Sequence, residues 1–270
     1  MNESASMRFL YHTVPGRQLL KTLVRPSVSQ KAAKLLNSPV SRPLIGYYIH
    51  KYHIDLTGCE KTQFDSFNDF FTRKKRVRIC RDKSKLSSPC DGFLSAYRIT
   101  DDLRMQIKHS TYSVASLLQS RELAEQFRGG LCCVFRLEPW HYHRYVYAVS
   151  GTVLKQRRIP GVLHSVRPIA CAEYPVYVQN SREYTVIQNE LLGSVIQMEV
   201  GALLVGKIHN YKTNLPVICY MEKGYFEYGG STIILLFQKD VVQLLPKYKS
   251  LLFSGHELPV SIGQPYGIVL

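Results

Sequence analysis

At 270 residues the chain is long enough for one large domain or two small ones, and an apolar share of 45% excludes a disordered polymer. Thirty-five Lys and Arg against twenty Asp and Glu leave a net charge of +15, which points to a polyanionic partner, either nucleic acid or an anionic membrane surface. The excess is uneven: residues 1–87 hold 17 basic and 6 acidic side chains, so +11 of the +15 lies in the first third.

Residues 1–60 read as basic amphipathic helices. In "RQLLKTLVRPSVSQKAAKLLN" Leu19, Leu20 and Leu23 form one stripe and Ala32, Leu35 and Leu36 another, with Pro26 between them. Such helices suit a bilayer interface, where each cation contributes about 1 kcal/mol near anionic lipid; they equally suit packing on the protein's own core. In "TQFDSFNDFFTRKKRVR" Phe64, Phe67, Phe70 and Phe71 recur at helical spacing as a core stripe. Ser66 or Asp65 is placed to cap the start, and Arg73 to Arg78 suit the negative end of the dipole.

From about residue 86 short β-branched and aromatic runs alternate with breakers. These are "GFLSAYRI", "LCCVFRL", "RYVYAV", "GTVLKQRRI", "EYTVIQ", "GSVIQMEVGALLVGKI", "GYFEY", "STIILLF" and "DVVQLL". One helix is expected in "VASLLQSRELAEQFRG". The reading is an α+β fold: a mainly antiparallel β-sheet domain with amphipathic helices packed at its N-terminus. The division expected is a helical region over 1–60 and a β-rich domain over 61–270.

Seven cysteines at irregular spacing, with no C-x-x-C, indicate neither a disulfide framework nor a zinc site, and fit a reducing cytoplasm. No apolar run approaches the roughly 18 residues of a spanning helix, and the start lacks the apolar core of a secretory signal. A membrane, if it matters, is therefore met from its surface.

Several stretches carry polar groups that a strand does not require. "SSPCDGFL" sets Asp91 beside Gly92, which is also ordinary turn chemistry. "EPWHYHRYVY" holds His141 and His143 at a spacing that puts both imidazoles on one face of a strand, with no third metal ligand at convincing spacing. "IPGVLHSVRP" holds His164 and Arg167 between two prolines. "GYFEYGGSTIILLF" sets Gly229, Gly230, Ser231 and Thr232 directly against an apolar strand. Gly-Gly alone reads as a hairpin turn.

Taken in order, these stretches resemble the phosphatidylserine decarboxylase family, from about residue 60 to the end. "FDSFNDFFTRK" is similar to the family's opening helix and "SSPCDG" to S-P-x-D-G. "RLEPWHYHRY" resembles R-L-x-P-x-x-Y-H-R, and "MEVGALLVGKI" resembles V-G-A-x-x-V-G-x-I. "KGYFEYGGST" resembles the K-G-x-F-x-x-G-S-T processing site, and "SGHELPVSIGQPYG" the closing G-x-x-V-x-x-G-x-x-x-G.

The resemblance implies cleavage between Gly230 and Ser231 into a β chain of residues 1–230 and an α chain of residues 231–270. Ser231 attacks the preceding carbonyl, and the resulting ester eliminates and hydrolyses to a pyruvoyl group at residue 231. That group is the cofactor. It forms a Schiff base with phosphatidylserine and yields phosphatidylethanolamine and CO2, with His143 giving and taking protons. Asp91 matches the aspartate of the family's Asp–His–Ser processing triad. The triad histidine is expected three residues after His143, where this chain has Val146, and His164 is the substitute named here, with His141 next.

The implied setting is the cytoplasmic face of the cell membrane, held peripherally on anionic phospholipid, with a homodimer compatible, no metal and no nucleic-acid partner. Alternatives are the same chemistry on another serine-headed lipid or on an amino acid such as tryptophan, and an unprocessed homologue or basic binding module.

Overall fold

The computed structural model describes residues 5–80, 82, 84–107, 110–203, 207–213, 216–229 and 231–270. Four helices open it: α1 (Ala5–His12), α2 (Val14–Leu23), α3 (Pro26–Leu36) and α4 (Pro43–Tyr52), followed by the short α5 (Phe67–Phe71). Next come β1 (Lys85–Ser87), β2 (Gly92–Arg98), β3 (Arg104–Ile107), β4 (Ser110–Ser113), α6 (Val114–Leu118) and α7 (Arg121–Glu125). The middle of the chain forms β5 (Leu131–Leu137), β6 (Arg144–Val146), β7 (Thr152–Ile159), α8 (Pro168–Glu173), α9 (Val176–Gln179), β8 (Arg182–Asn189) and β9 (Gly193–Gly201). The last part forms β10 (Ile208–Asn210), β11 (Glu222–Phe226), β12 (Ser231–Phe237), β13 (Val242–Leu244), α10 (Pro246–Lys249), α11 (Leu251–Ser254), β14 (Leu258–Val260) and β15 (Pro265–Val269).

The expected α+β architecture is the one found. A seven-stranded sheet in the order β14-β2-β5-β12-β9-β8-β7 is antiparallel at every pairing. β12 lies at its centre and is buried along its whole length, as is its neighbour β5. This explains the unbroken apolar run in "STIILLF": both faces of the strand are covered, so alternation with polar residues has no use. Burying each of its large apolar side chains contributes roughly 1.5–3 kcal/mol. A three-stranded sheet, β10-β11-β6, and another, β1-β15-β13, complete the β framework with the β3-β4 pair.

Two local readings need correction. No hairpin joins β11 to β12: β11 pairs with β10 and β6, whereas β12 pairs with β5 and β9. The segment between β11 and β12 passes from the small sheet to the large one. The expected helix over residues 114–129 is two helices, broken where Gln119 takes a left-handed φ of 47°.

The N-terminal helices divide their apolar residues. Pro26 starts α3 in the position where a missing N–H costs nothing. Tyr11, Leu20 and Val24 enter the main core, while Leu19, Leu35, Val40 and Leu44 remain exposed. Phe64, Phe67, Phe70 and Phe71 form a second cluster with Leu36, Ile45, Tyr48 and Ile49, so contacts run across residue 60. Ser66 caps α5, its Oγ accepting from the Asp69 amide at 3.1 Å. Among the described residues no helix is long and apolar enough to cross a membrane.

Candidate active site

Ser231 is the first residue of β12, opposite Leu137 on one side and Gly201 on the other. It is fully buried, and its Oγ has no hydrogen-bond partner among the described residues. A buried hydroxyl left unpaired is expensive and uncommon in a native fold. Gly230, and with it the expected scissile bond, lies outside the described residues. Gly229 holds a φ of 141°, backbone space that side-chain-bearing residues enter only under strain.

Strand register shows what covers Ser231. Cross-strand partners share a face, so Ser231 projects to the same side as Gly201, Glu199 and Gln197. The small sheet lies over that side. Gln197 Nε2 donates to the Val146 carbonyl at 3.0 Å, and its Oε1 accepts from the Ala148 amide at 2.9 Å. One step nearer Ser231, Lys223 Nζ donates to Glu199 Oε2 at 2.5 Å, both side chains fully buried. Burial raises the Glu199 pKa and Lys223 opposes it. Arg144 opens β6 of the same small sheet, and His143 immediately precedes it.

His143 is fully buried. Its ring packs 4.0 Å from the Phe71 ring, and its carbonyl accepts from the Phe226 amide at 3.0 Å, which fastens it to the end of β11. Nδ1 lies 2.9 Å from the His141 carbonyl, so Nδ1 carries the proton and Nε2 holds the lone pair. Nε2 has no partner among the described residues. Burial pushes the imidazole well below its usual pKa. The His141 carbonyl opposes that shift, and so does the Gly229 backbone.

Phe71 and Tyr228 are site residues that the sequence did not single out. The Tyr228 ring stands edge-on to Phe67 and to Phe71, each at 5.2 Å. Its amide donates to Asn68 Oδ1 at 3.1 Å, and its hydroxyl meets that of Tyr48 at 2.9 Å. Helices α4 and α5 thus clamp the residue just before Gly229. The Phe spacing predicts burial of Phe71, but nothing local says that it backs an imidazole 72 positions later in the chain.

Asp91 is fully engaged elsewhere. Its carboxylate accepts from the Ile262 amide at 2.8 Å, the Tyr142 amide at 3.3 Å and Lys75 Nζ at 3.2 Å. Val146 packs nearby with Tyr142 and Ile262 in a small apolar cluster. His141 and His143 precede β6 rather than share a strand face. His141 stands against Phe93 and accepts the Glu138 amide at Nδ1, 2.9 Å away, while His143 stands against Phe71.

The His164 ring stacks on Tyr174 at 4.5 Å and tilts against Tyr11, and its Nδ1 is buried without a partner among the described residues. Its backbone reaches the site through Asn180, which accepts the His164 amide and donates to the carbonyls of His164 and Gly201. No described contact joins the rings of His164 or His141 to Ser231, or either ring to Asp91 by a hydrogen bond.

A cavity of about 250 Å³ adjoins this end of the sheet, lined by Leu137, Ala202, Tyr228, Gly229, Glu138 and Arg167 among others. Behind it runs a line of alternating charge. Arg136 makes a two-pronged contact with Glu257, with Nη2 at 2.7 Å, and also bonds Glu138. Arg167 reaches Glu138 at 3.2 Å and is the more exposed cation. Among the described residues no group of three or more His, Cys, Asp or Glu is placed to hold a metal.

Comparison with known proteins places the chain among the carboxy-lyases. A family model described as phosphatidylserine decarboxylase matches residues 67–267, and the chain belongs to that family. It is 40% identical to phosphatidylserine decarboxylase proenzyme 2 of Clostridium acetobutylicum, over 98% of this chain and 92% of that one. It is 37% identical to the phosphatidylserine decarboxylase proenzyme of Ruminiclostridium cellulolyticum, over 96% and 89%, and 34% identical to that of Desulfitobacterium hafniense, over 97% and 91%.

Proposed function

We propose that the chain converts phosphatidylserine to phosphatidylethanolamine and CO2 on a pyruvoyl group made from its own Ser231, after self-cleavage at Gly230–Ser231. The observation that carries this reading is the Ser231 hydroxyl: fully buried, unpaired among the described residues, and at the head of a central strand that stays anchored if the chain before it is cut. These residues fit the group. Strands β5 and β9 would hold residue 231 from both sides, and the buried surroundings exclude bulk water. When present, the pyruvoyl group supplies an electron-accepting carbonyl for a substrate that is losing carboxylate.

The chain's own residues do the rest. His143 enters neutral, with the lone pair on Nε2. It is suited to accept a proton from the substrate ammonium and to return one to the substrate α-carbon after CO2 departs. Phe71 and the His141 carbonyl fix the ring for that exchange. Arg167 offers a cation on the cavity wall for the anionic groups of the headgroup. Asp91 contributes by holding the segment before His143, through the Tyr142 amide. His164 supports Gly201, and so the start of β12, through Asn180.

The lipid is met at the surface. Exposed Leu19, Leu35, Val40, Leu44 and Tyr47 are interleaved with Arg17, Lys21, Lys34 and Arg42 on the N-terminal helices, which suits peripheral attachment to anionic phospholipid at the cytoplasmic face of the cell membrane.

One experiment reads both features. With phosphatidylserine vesicles at low salt, the protein is expected to pellet with lipid and release CO2. Raising the salt should lower the pelleted fraction. Ser231→Ala should still pellet and should release no CO2. Decarboxylation by Ser231→Ala would refute the reading.

A further inference from the structure

Position 146 holds a valine, which cannot take a proton, and its side chain packs with Tyr142 and Ile262. Asp91 already binds two backbone amides and Lys75. The structure therefore leaves the activation of Ser231 to another group. We propose that His143 is the base that takes the Ser231 Oγ proton during self-cleavage, so that one imidazole serves both processing and decarboxylation. This rests on the proposed function, since it presupposes a cut at Ser231.

Four observations select His143. First, register puts the Ser231 side chain on the face of the large sheet that the small sheet covers, and His143 immediately precedes β6 of that small sheet. Second, His143 and Tyr228, the latter three residues before Ser231, pack on the same Phe71 ring, at 4.0 and 5.2 Å. Third, both Ser231 Oγ and His143 Nε2 are buried and unpaired among the described residues, and each is the chemical complement of the other. Fourth, the His141 carbonyl holds the proton on Nδ1, which leaves Nε2 as the acceptor. That carbonyl does what a triad carboxylate does elsewhere: it fixes the tautomer and steadies the imidazolium that forms.

The competing imidazoles are placed otherwise, although His164 Nδ1 is also buried without a partner among the described residues. His141 accepts the Glu138 amide at Nδ1, so its neutral form carries the proton on Nε2 and has no free lone pair. The His164 ring is stacked on Tyr174, and only its backbone is linked toward β12. The role therefore passes from His164 to His143.

The step balances without a further reactant. The Ser231 Oγ–H proton moves to His143 Nε2 while Oγ bonds to the carbonyl carbon of residue 230. The peptide C–N bond then breaks, and the departing Ser231 nitrogen takes the proton back from Nε2. The product is an ester between residue 230 and the Ser231 side chain, with a free amine, and His143 is again neutral.

The test uses the full-length chain and reads cleavage, not decarboxylation. His143→Asn retains an N–H able to reach the His141 carbonyl and removes the base. Cleavage is followed on denaturing gels and by intact mass, with and without hydroxylamine, which cuts esters. General-base catalysis is worth about 10²–10⁴-fold, so His143→Asn should cut at least about 100-fold more slowly. Hydroxylamine should not restore cutting, because no ester has formed. Cooperative unfolding of the variant confirms its fold; if it is lost, His143→Gln is read in the same way. His143→Asn cut at the wild-type rate, or cut once hydroxylamine is added, overturns the assignment. A wild-type chain that stays whole overturns both the assignment and the proposed function.

Discussion

Burial has two consequences for the histidines near Ser231. It keeps them neutral at physiological pH, and it ties their protonation to unfolding. His141, His143 and His164 all sit below the usual value near 6.5, with burial the leading cause in each. In the unfolded chain each returns to about 6.5 and binds a proton below that pH. The unfolded state then holds more protons than the folded one. Stability is complete above about pH 6.5 and falls as pH drops toward the folded pKa values. Thermal melts of Ser231→Ala, which keeps the chain whole, should show Tm falling between pH 6.5 and 5, and adding His143→Asn should flatten the fall. A Tm that stays level or rises over that range would contradict this account.

At the scale of elements, β11 of the small sheet is tied to β9 of the large one through one buried ion pair. Lys223 on β11 reaches Glu199 on β9, and Asn210 on β10 donates to the same carboxylate at 3.0 Å. Removing one member of a buried pair leaves an uncompensated charge, which costs about 3–5 kcal/mol, whereas replacing both with apolar groups costs far less. In the Ser231→Ala background, Lys223→Met should lose about that much in urea unfolding. The double change Lys223→Met with Glu199→Met should recover most of it. Equal losses in the single and double variants would rule out the pair as the tie between the sheets.

The same elements show what a sequence carries and what it cannot. β5 and β12 were legible because their runs are long, β-branched or aromatic, and sharply bounded. Pairing was not: nothing between Phe226 and Ser231 distinguishes a hairpin from a passage between sheets, since the choice depends on β5 and β9 far away in the chain. His141 and His143 look like alternate residues on one strand, yet the strand starts one residue later. Ser231, His143 and Asp91 were named as candidates from motif alone. The floor of the site, Phe71 and Tyr228, was not, because ring packing between distant helices and turns leaves no local spacing to read.

On the scale of the whole molecule, the parts converge on one short stretch. Helices α4 and α5 clamp Tyr228, Phe71 of α5 backs the His143 ring, and the large sheet holds Ser231 on both sides. The basic N-terminal helices leave apolar side chains exposed on the surface proposed to meet lipid. This organisation suits the proposal that the chain first reacts with its own backbone. Intact mass spectrometry of the purified protein tests that claim most directly. Two fragments are expected, residues 1–230 and residues 231–270, with the second lighter by one ammonia than a chain starting in serine. A single uncut chain, or a second fragment with an ordinary serine start, would contradict it.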